Sequence, residues 1–138
     1  MDNHTHKKRI LVVDDDPHIV QVLRNRLESN NYFVISAFDG VEALEKVKRE
    51  NPDLIILDIL MPRMDGGMFL QKMKELGLIK NIPVIVLTAK ASMKEFFFVN
   101  GVVGFMVKPF DSKNLLNEIA KHLHHNLYVK LKAHLSGA

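Results

Sequence analysis

The sequence predicts a doubly wound α/β domain built on one parallel sheet. Three observations predict it. Short, continuous runs rich in β-branched residues alternate five times with stretches of helical periodicity. Parallel strands need crossover connections, and right-handed crossovers place helices on both faces of a sheet. Polar residues also gather just after the carboxyl ends of the runs, where an open parallel sheet binds its ligands.

The elements follow in chain order. Residues 10–13 form the first strand. Asp16 and Pro17 are an N-cap and N1 pair, and Ile19, Leu23 and Leu27 then recur at helical spacing until Asn30-Asn31 stops the helix. Residues 32–37 are a more mixed strand, which places it nearer an edge. Asp39-Gly40 opens a second helix with Val41, Leu44 and Val47 on one face, ended by Asn51-Pro52. Residues 54–57 are the third strand. The third helix carries Leu70, Met73 and Leu76, with Gly77 just past its end. Residues 84–87 form the fourth strand, and a fourth helix near 92–100 closes at Gly101. Residues 102–107 read as a buried fifth strand, like the first, third and fourth. The last helix starts after Asp111-Ser112 and runs through Leu115, Ile119 and Leu123, with a pattern that extends to Leu131. Residues 126–138 are either its continuation or a frayed tail.

At 138 residues the chain is the size of one domain, so 1–138 is expected to be a single unit. Apolar residues make up 47% and charged residues 25%, which excludes a disordered chain. No apolar run approaches the roughly 20 residues of a membrane-spanning helix. There is no signal-peptide core after Met1 and no cysteine for disulfides, so a cytoplasmic location is the expectation. The net charge of +3 comes from lysines scattered along helical stretches. They read as a solvated face, with neither nucleic acid nor membrane as a partner.

The chemistry lies at the strand ends. Asp14, Asp15 and Asp16 follow Val13, Asp58 follows Leu57, Thr88 follows Leu87 and Lys108 follows Val107. One such aspartate is as often a helix cap as a ligand. Their convergence on one edge points to a site. Packed carboxylates repel unless a cation sits among them. Oxygen donors without His or Cys suit a hard cation, Mg²⁺ above all. Lys108 adds a point charge for a phosphate oxygen and Thr88 a hydroxyl. A carboxylate, a metal and a lysine together suit in-line phosphoryl transfer with the carboxylate as nucleophile.

Four blocks carry a resemblance: residues 10–17, ending Asp14-Asp15-Asp16-Pro17; residues 58–66, from Asp58-Ile59-Leu60 to Met64-Asp65-Gly66; Pro83 to Thr88-Ala89; and Lys108-Pro109-Phe110. Over about residues 8–124 the chain resembles the receiver domains of response regulators, the phosphoacceptors of two-component signalling. The resemblance implies a flavodoxin-like fold with strand order 2-1-3-4-5. It implies Asp58 as the phosphorylated residue. Asp15, Asp58 and the backbone carbonyl of Leu60 would hold Mg²⁺, or Mn²⁺ in its place, with Asp14 acting through a metal-bound water. Thr88 would be the switch hydroxyl, Lys108 the counter-charge to the phosphate, and Lys108–Pro109 a cis peptide. Asp16 is left as a helix cap. The partners implied are a sensor histidine kinase or histidine phosphotransfer protein upstream, and an effector protein or missing output domain downstream. The switching face would be the fourth helix, last strand and last helix. Such a domain is no enzyme in the ordinary sense; it takes phosphoryl groups from small donors as well and loses them slowly.

Two departures stand out. The switch aromatic is Phe105, where the family often has tyrosine. The stretch from Thr88 to Lys108 is short and holds Phe96-Phe97-Phe98 in place of an alanine-rich helix. Consecutive helical positions diverge by about 100°, so the three rings cannot all face the sheet. Either some fill gaps in the core or one or two lie exposed on a partner surface.

Other features have plainer readings. Met61, Met64, Met68 and Met73 are packing. His122, His124 and His125 point different ways on a terminal helix and read as a solvated face. His18 lies in the first helical turn and has no catalytic role. Gly66-Gly67 lacks a following lysine and is turn chemistry, not a P-loop. The competing function is a small haloacid-dehalogenase-like phosphatase with Asp14 as nucleophile, since Asp14-Asp15-Asp16 contains an Asp-x-Asp. Pro17-His18 departs from that pattern, and residues 58–66 would go unexplained. A receiver-shaped module that is never phosphorylated would not need the full acceptor set.

Overall fold

The structure, a computed structural model, describes residues 7–61 and 63–124. Among them, the strands β1 (Arg9–Val13), β2 (Phe33–Ala37), β3 (Leu54–Leu57), β4 (Val84–Thr88) and β5 (Gly104–Val107) alternate with α1 (Pro17–Glu28), α2 (Gly40–Glu50), α3 (Gly66–Glu75), α4 (Lys94–Val99) and α5 (Ser112–Leu123). The strands form one sheet in the order β2-β1-β3-β4-β5, parallel at every pairing. This is the expected doubly wound architecture.

The sheet is covered on both faces because its residues alternate. Ile10 and Val12 of β1 pack with Val20, Leu23 and Leu27 of α1 and Leu115 and Ile119 of α5. Leu11 and Val13 face the other way, onto Ala43 and Val47 of α2, Phe69 and Met73 of α3, and Phe97 of α4. Each large side chain so buried stabilises the fold by about 1.5–3 kcal/mol. With both faces covered, β3 and β4 are apolar and buried at every position except the terminal Thr88, itself buried.

Aspartates cap four of these helices. Asp16, Asp39, Asp65 and Asp111 accept backbone N–H bonds from His18, Glu42, Met68 and Lys113. The role given to Asp16 holds.

Several expectations need correction. The fifth strand begins at Gly104 and not at Val102. Val102 N–H donates to Phe97 O and Gly101 N–H to Phe98 O, so the β-branched residue at 102 closes α4 instead of extending a ladder. As the second edge strand, β5 is only partly buried, and Val107 is 42% exposed. The fourth helix is a 3₁₀ turn, Ala91–Met93, followed by the six residues of α4. Phe97 alone of its three phenylalanines is buried; Phe96 and Phe98 are exposed. The buried face of α2 is Gly40, Ala43 and Val47, with Val41 outside, and Leu76 is exposed just past α3. Met61, Met64 and Met73 pack in the core but Met68 does not. The histidines are less solvated than expected. His124 stacks on Tyr32 at 6.0 Å, and His122 lies 3.8 Å from Glu118. His125 and residues 126–138 fall outside the described residues.

Candidate phosphoryl-acceptor site

The switch point of this strand order lies between β1 and β3, whose following connections leave toward opposite faces. Val13 pairs with Leu57, so the next residues, Asp14 and Asp58, sit side by side, and Asp58 N–H donates to Val13 O at 2.9 Å. On the far side, Thr88 pairs with Val107, and Lys108 N–H donates to Thr88 O at 2.8 Å. Parallel register thus brings all four strand ends to one edge.

Lys108 reaches back across that edge. Its Nζ donates to Asp14 Oδ2 at 2.7 Å and to Asp58 Oδ2 at 3.4 Å. Asp14, Asp58 and Thr88 are buried, while Asp15 is exposed. Burial pushes the Asp14 carboxyl above the ordinary aspartate range; Lys108 and the Asp16 N–H oppose this, and the charge of Asp58 adds to it. Burial also works against the Lys108 ammonium, but its hydrogen bond to Asp14 and the two carboxylate charges outweigh it and raise its pKa. A buried ion pair is a poor stabilising device, because desolvation offsets the attraction. This one marks a site.

One carboxylate oxygen from each of Asp14, Asp15 and Asp58 lies within 4.8 Å of the others. Three carboxylates against one ammonium leave excess negative charge, held by oxygen donors alone. That donor set fits a hard divalent cation. Asp15 makes no hydrogen bond or ion pair among the described residues, so its oxygens are free for a ligand.

Leu60 and Phe105 are the remaining predicted residues, and Lys90 stands two positions after Thr88. Leu60 is 51% exposed, on the loop after β3, and its N–H approaches Asp58 Oδ1 at 3.4 Å. Lys90 is exposed, with its N–H 3.4 Å from Thr88 Oγ1. Phe105 is half-buried, packed on the α2–α4 side 6.4 Å from the Phe97 ring. The Lys108–Pro109 peptide is cis, as expected.

The loop from β3 to α3 is held more tightly than the sequence suggested. Gly40 N–H donates to Met64 O at 3.0 Å, and Gly66 N–H donates to Ile59 O at 2.8 Å. A Cβ on Gly40 would lie 2.3 Å from Met64 O, and one on Gly66 2.8 Å from Asp58 O. Both glycines are needed for close backbone approach. Arg63 Nε donates to Asp39 Oδ2 at 2.9 Å, and Nη2 donates to the same oxygen. Sequence reasoning missed this contact. Its only trace is a cation inside the loop motif and an aspartate already explained as a cap.

The profile of the response regulator receiver domain matches residues 10–120. The chain is 42% identical over 113 residues to the response regulator MprA of Mycobacterium leprae, covering 80% of this chain and 49% of MprA. It spans about half the length, or less, of the curated relatives it matches. Among solved structures, chemotaxis protein CheY4 of Vibrio cholerae superposes with a TM-score of 0.77 at 33% identity, covering 85% of this chain and 99% of that one. TrrA of Thermotoga maritima, solved in complex with Mg²⁺ and BeF, gives 0.77 at 34% identity, covering 84% and 99%. These relatives favour a phosphoacceptor over a phosphatase. The chain belongs to the response regulator receiver domain family, the phosphoacceptor modules of two-component signal transduction.

Proposed function

We propose that Asp58 is the residue that takes the phosphoryl group, with a divalent cation held by Asp15, Asp58 and the Leu60 carbonyl and with Asp14 contributing through water. The observation that supports this most is Lys108 Nζ within reach of both buried carboxylates. Asp58 is the freer of the two. Asp14 accepts from Lys108 at 2.7 Å and from Asp16 N–H at 3.0 Å, whereas both contacts to Asp58 are 3.4 Å. A carboxylate oxygen of Asp58 attacks phosphorus, the bond from phosphorus to the donor breaks, and the donor keeps the electron pair. Mg²⁺, or Mn²⁺ in its place, supplies neutralisation of the charge on the transferring group. Lys108 neutralises a phosphate oxygen, Thr88 offers its hydroxyl to another, and Phe105 follows Thr88 as the face of α4, β5 and α5 changes.

The proposed donors are a histidine kinase or histidine phosphotransfer protein, and small phosphodonors in their absence. The readout is an effector protein or output domain, in the cytoplasm, with 1–138 as one unit. Among the described residues, no helix is long and apolar enough to cross a membrane. Acetyl phosphate with Mg²⁺ should add one phosphoryl group, seen by intact mass. The adduct should be absent in Asp58→Asn and retained in Asp16→Asn. Label on Asp14 would instead restore the phosphatase reading.

The phosphoryl group should be lost slowly, over minutes to hours. Hydrolysis needs a water aligned opposite the leaving carboxylate, and positioning is most of that catalysis. Leu60 has no group to hold a water, and Lys90 is a flexible cation beside Thr88. Leu60→Asn should shorten the lifetime several-fold in a mass-based decay assay. A wild-type half-life of seconds would remove these side chains as the cause.

A further inference from the structure

Arg63 occupies an unusual backbone position. Its φ is 63°, a left-handed conformation that a branched or long L-residue enters only against Cβ strain and that glycine enters freely. A glycine would suit the turn better, yet the residue is an arginine, and its guanidinium binds Asp39 through two N–H groups on one oxygen. Asp39 spends its other oxygen, Oδ1, on the Glu42 N–H that opens α2, at 2.8 Å. Glu42 Oε1 accepts in turn from Phe38 N–H at 2.8 Å. The Asp39 side chain is 14% exposed, and the Glu42 N–H and then Arg63 hold its carboxyl below the ordinary aspartate range. A rigid, doubly engaged carboxylate is thus the anchor for one exposed side chain.

What Arg63 holds is the loop between Asp58 and Gly66. That loop leaves the sheet at the acceptor, carries the Leu60 carbonyl, touches α2 through Met64 O, and re-enters structure at α3. Backbone bonds pin it at Ile59 and Met64. Between those pins, Arg63 supplies a side-chain tie to the body of the domain.

The geometry points to the Arg63–Asp39 pair as a positioning latch that fixes the β3–α3 loop against α2 and so keeps the Leu60 carbonyl aimed at the cation site. This rests on the reading that Asp15, Asp58 and that carbonyl hold the cation. Partners that orient a ligand from outside its own shell tune metal affinity without touching the metal. The latch is also a way for α2 to report on the site, because moving the loop must break or remake a bond to its cap.

The test is Mg²⁺ titration of the full chain, followed by backbone amide shifts around residues 58–61. Arg63→Ala and Arg63→Gly should each weaken Mg²⁺ by about fivefold, with little change in thermal midpoint. Glycine removes the backbone strain, so a folded variant is available even if alanine is poorly tolerated. Arg63→Lys should recover part of the affinity. Asp39→Asn keeps the helix cap and should match Arg63→Ala, and the double variant should be no weaker than either alone. Wild-type affinity in Arg63→Gly, alongside lost binding in Asp15→Ala, would overturn the latch. Wild-type affinity in Asp15→Ala itself would overturn the site reading beneath it.

Discussion

Lys108→Ala is expected to bind Mg²⁺ more tightly than the wild type and yet lose nearly all of the conformational response to phosphorylation. Both effects come from one ammonium. In the free domain it neutralises part of the charge on Asp14 and Asp58, at 2.7 and 3.4 Å, and repels an incoming cation. In a solvent-screened cleft two unit charges about 4 Å apart interact by about 1 kcal/mol, so removing this ammonium from beside a divalent cation should raise cation affinity roughly tenfold. Once Asp58 is phosphorylated, the same ammonium must satisfy a group carrying about two negative charges. Its backbone N–H donates to Thr88 O, and Thr88 is buried. Any shift of the side chain is thereby felt by β4 and β5 together. With alanine the phosphoryl group would meet no counter-charge from β5, and the strands would have no reason to move. Amide spectra with beryllofluoride read this directly. A mutant spectrum that shifts as far as the wild type would show that Lys108 is not the coupling residue.

Asp15→Ala should abolish useful Mg²⁺ binding, with a loss of at least about tenfold, as expected when a hard-cation site gives up a direct carboxylate. Phosphoryl uptake from acetyl phosphate should fall with it. The fold should not suffer. Asp15 is exposed and makes no bond among the described residues, so its removal should change stability by less than about 0.5 kcal/mol. Relief of repulsion with Asp14 and Asp58 favours the apo form slightly. Thermal melts separate these effects. A ligand that binds only the native state raises the midpoint by mass action, so Mg²⁺ should stabilise the wild type and leave Asp15→Ala unmoved. A variant whose midpoint still climbs with Mg²⁺ would mean the cation sits on other oxygens.

Much of this site was legible in the sequence because four of its residues are each the first one past an apolar run. Asp14, Asp58, Thr88 and Lys108 need no long-range knowledge to be noticed, and parallel register then gathers them. Asp16 was legible as a cap from the proline after it, and Asp39 and Asp111 marked helix starts. What escaped depends on contacts between distant residues. Asp39 and Arg63 lie 24 positions apart, and nothing periodic links them. Val102 looks like the start of a strand because β-branched side chains favour extended backbone. Only the closing bond to Phe97 O shows that it ends a helix. The histidines misled because helical spacing alone cannot reveal that Tyr32, just before β2, supplies a ring for His124.

The helices differ in how they begin. Four start on an aspartate whose side chain accepts a backbone N–H, whereas neither α4 nor the 3₁₀ turn before it has a side-chain cap. With six residues, α4 is also well under the length at which a helix sustains itself in water, about 12–15 residues. Its tie to the sheet face is chiefly the one buried ring of Phe97. Such a segment is a small cooperative unit with a low opening free energy, distinct from the sheet that carries the global stability. Opening α4 would draw the Phe97 ring from the core and break the Lys74–Asn100 hydrogen bond, and would leave the paired strands of the sheet untouched.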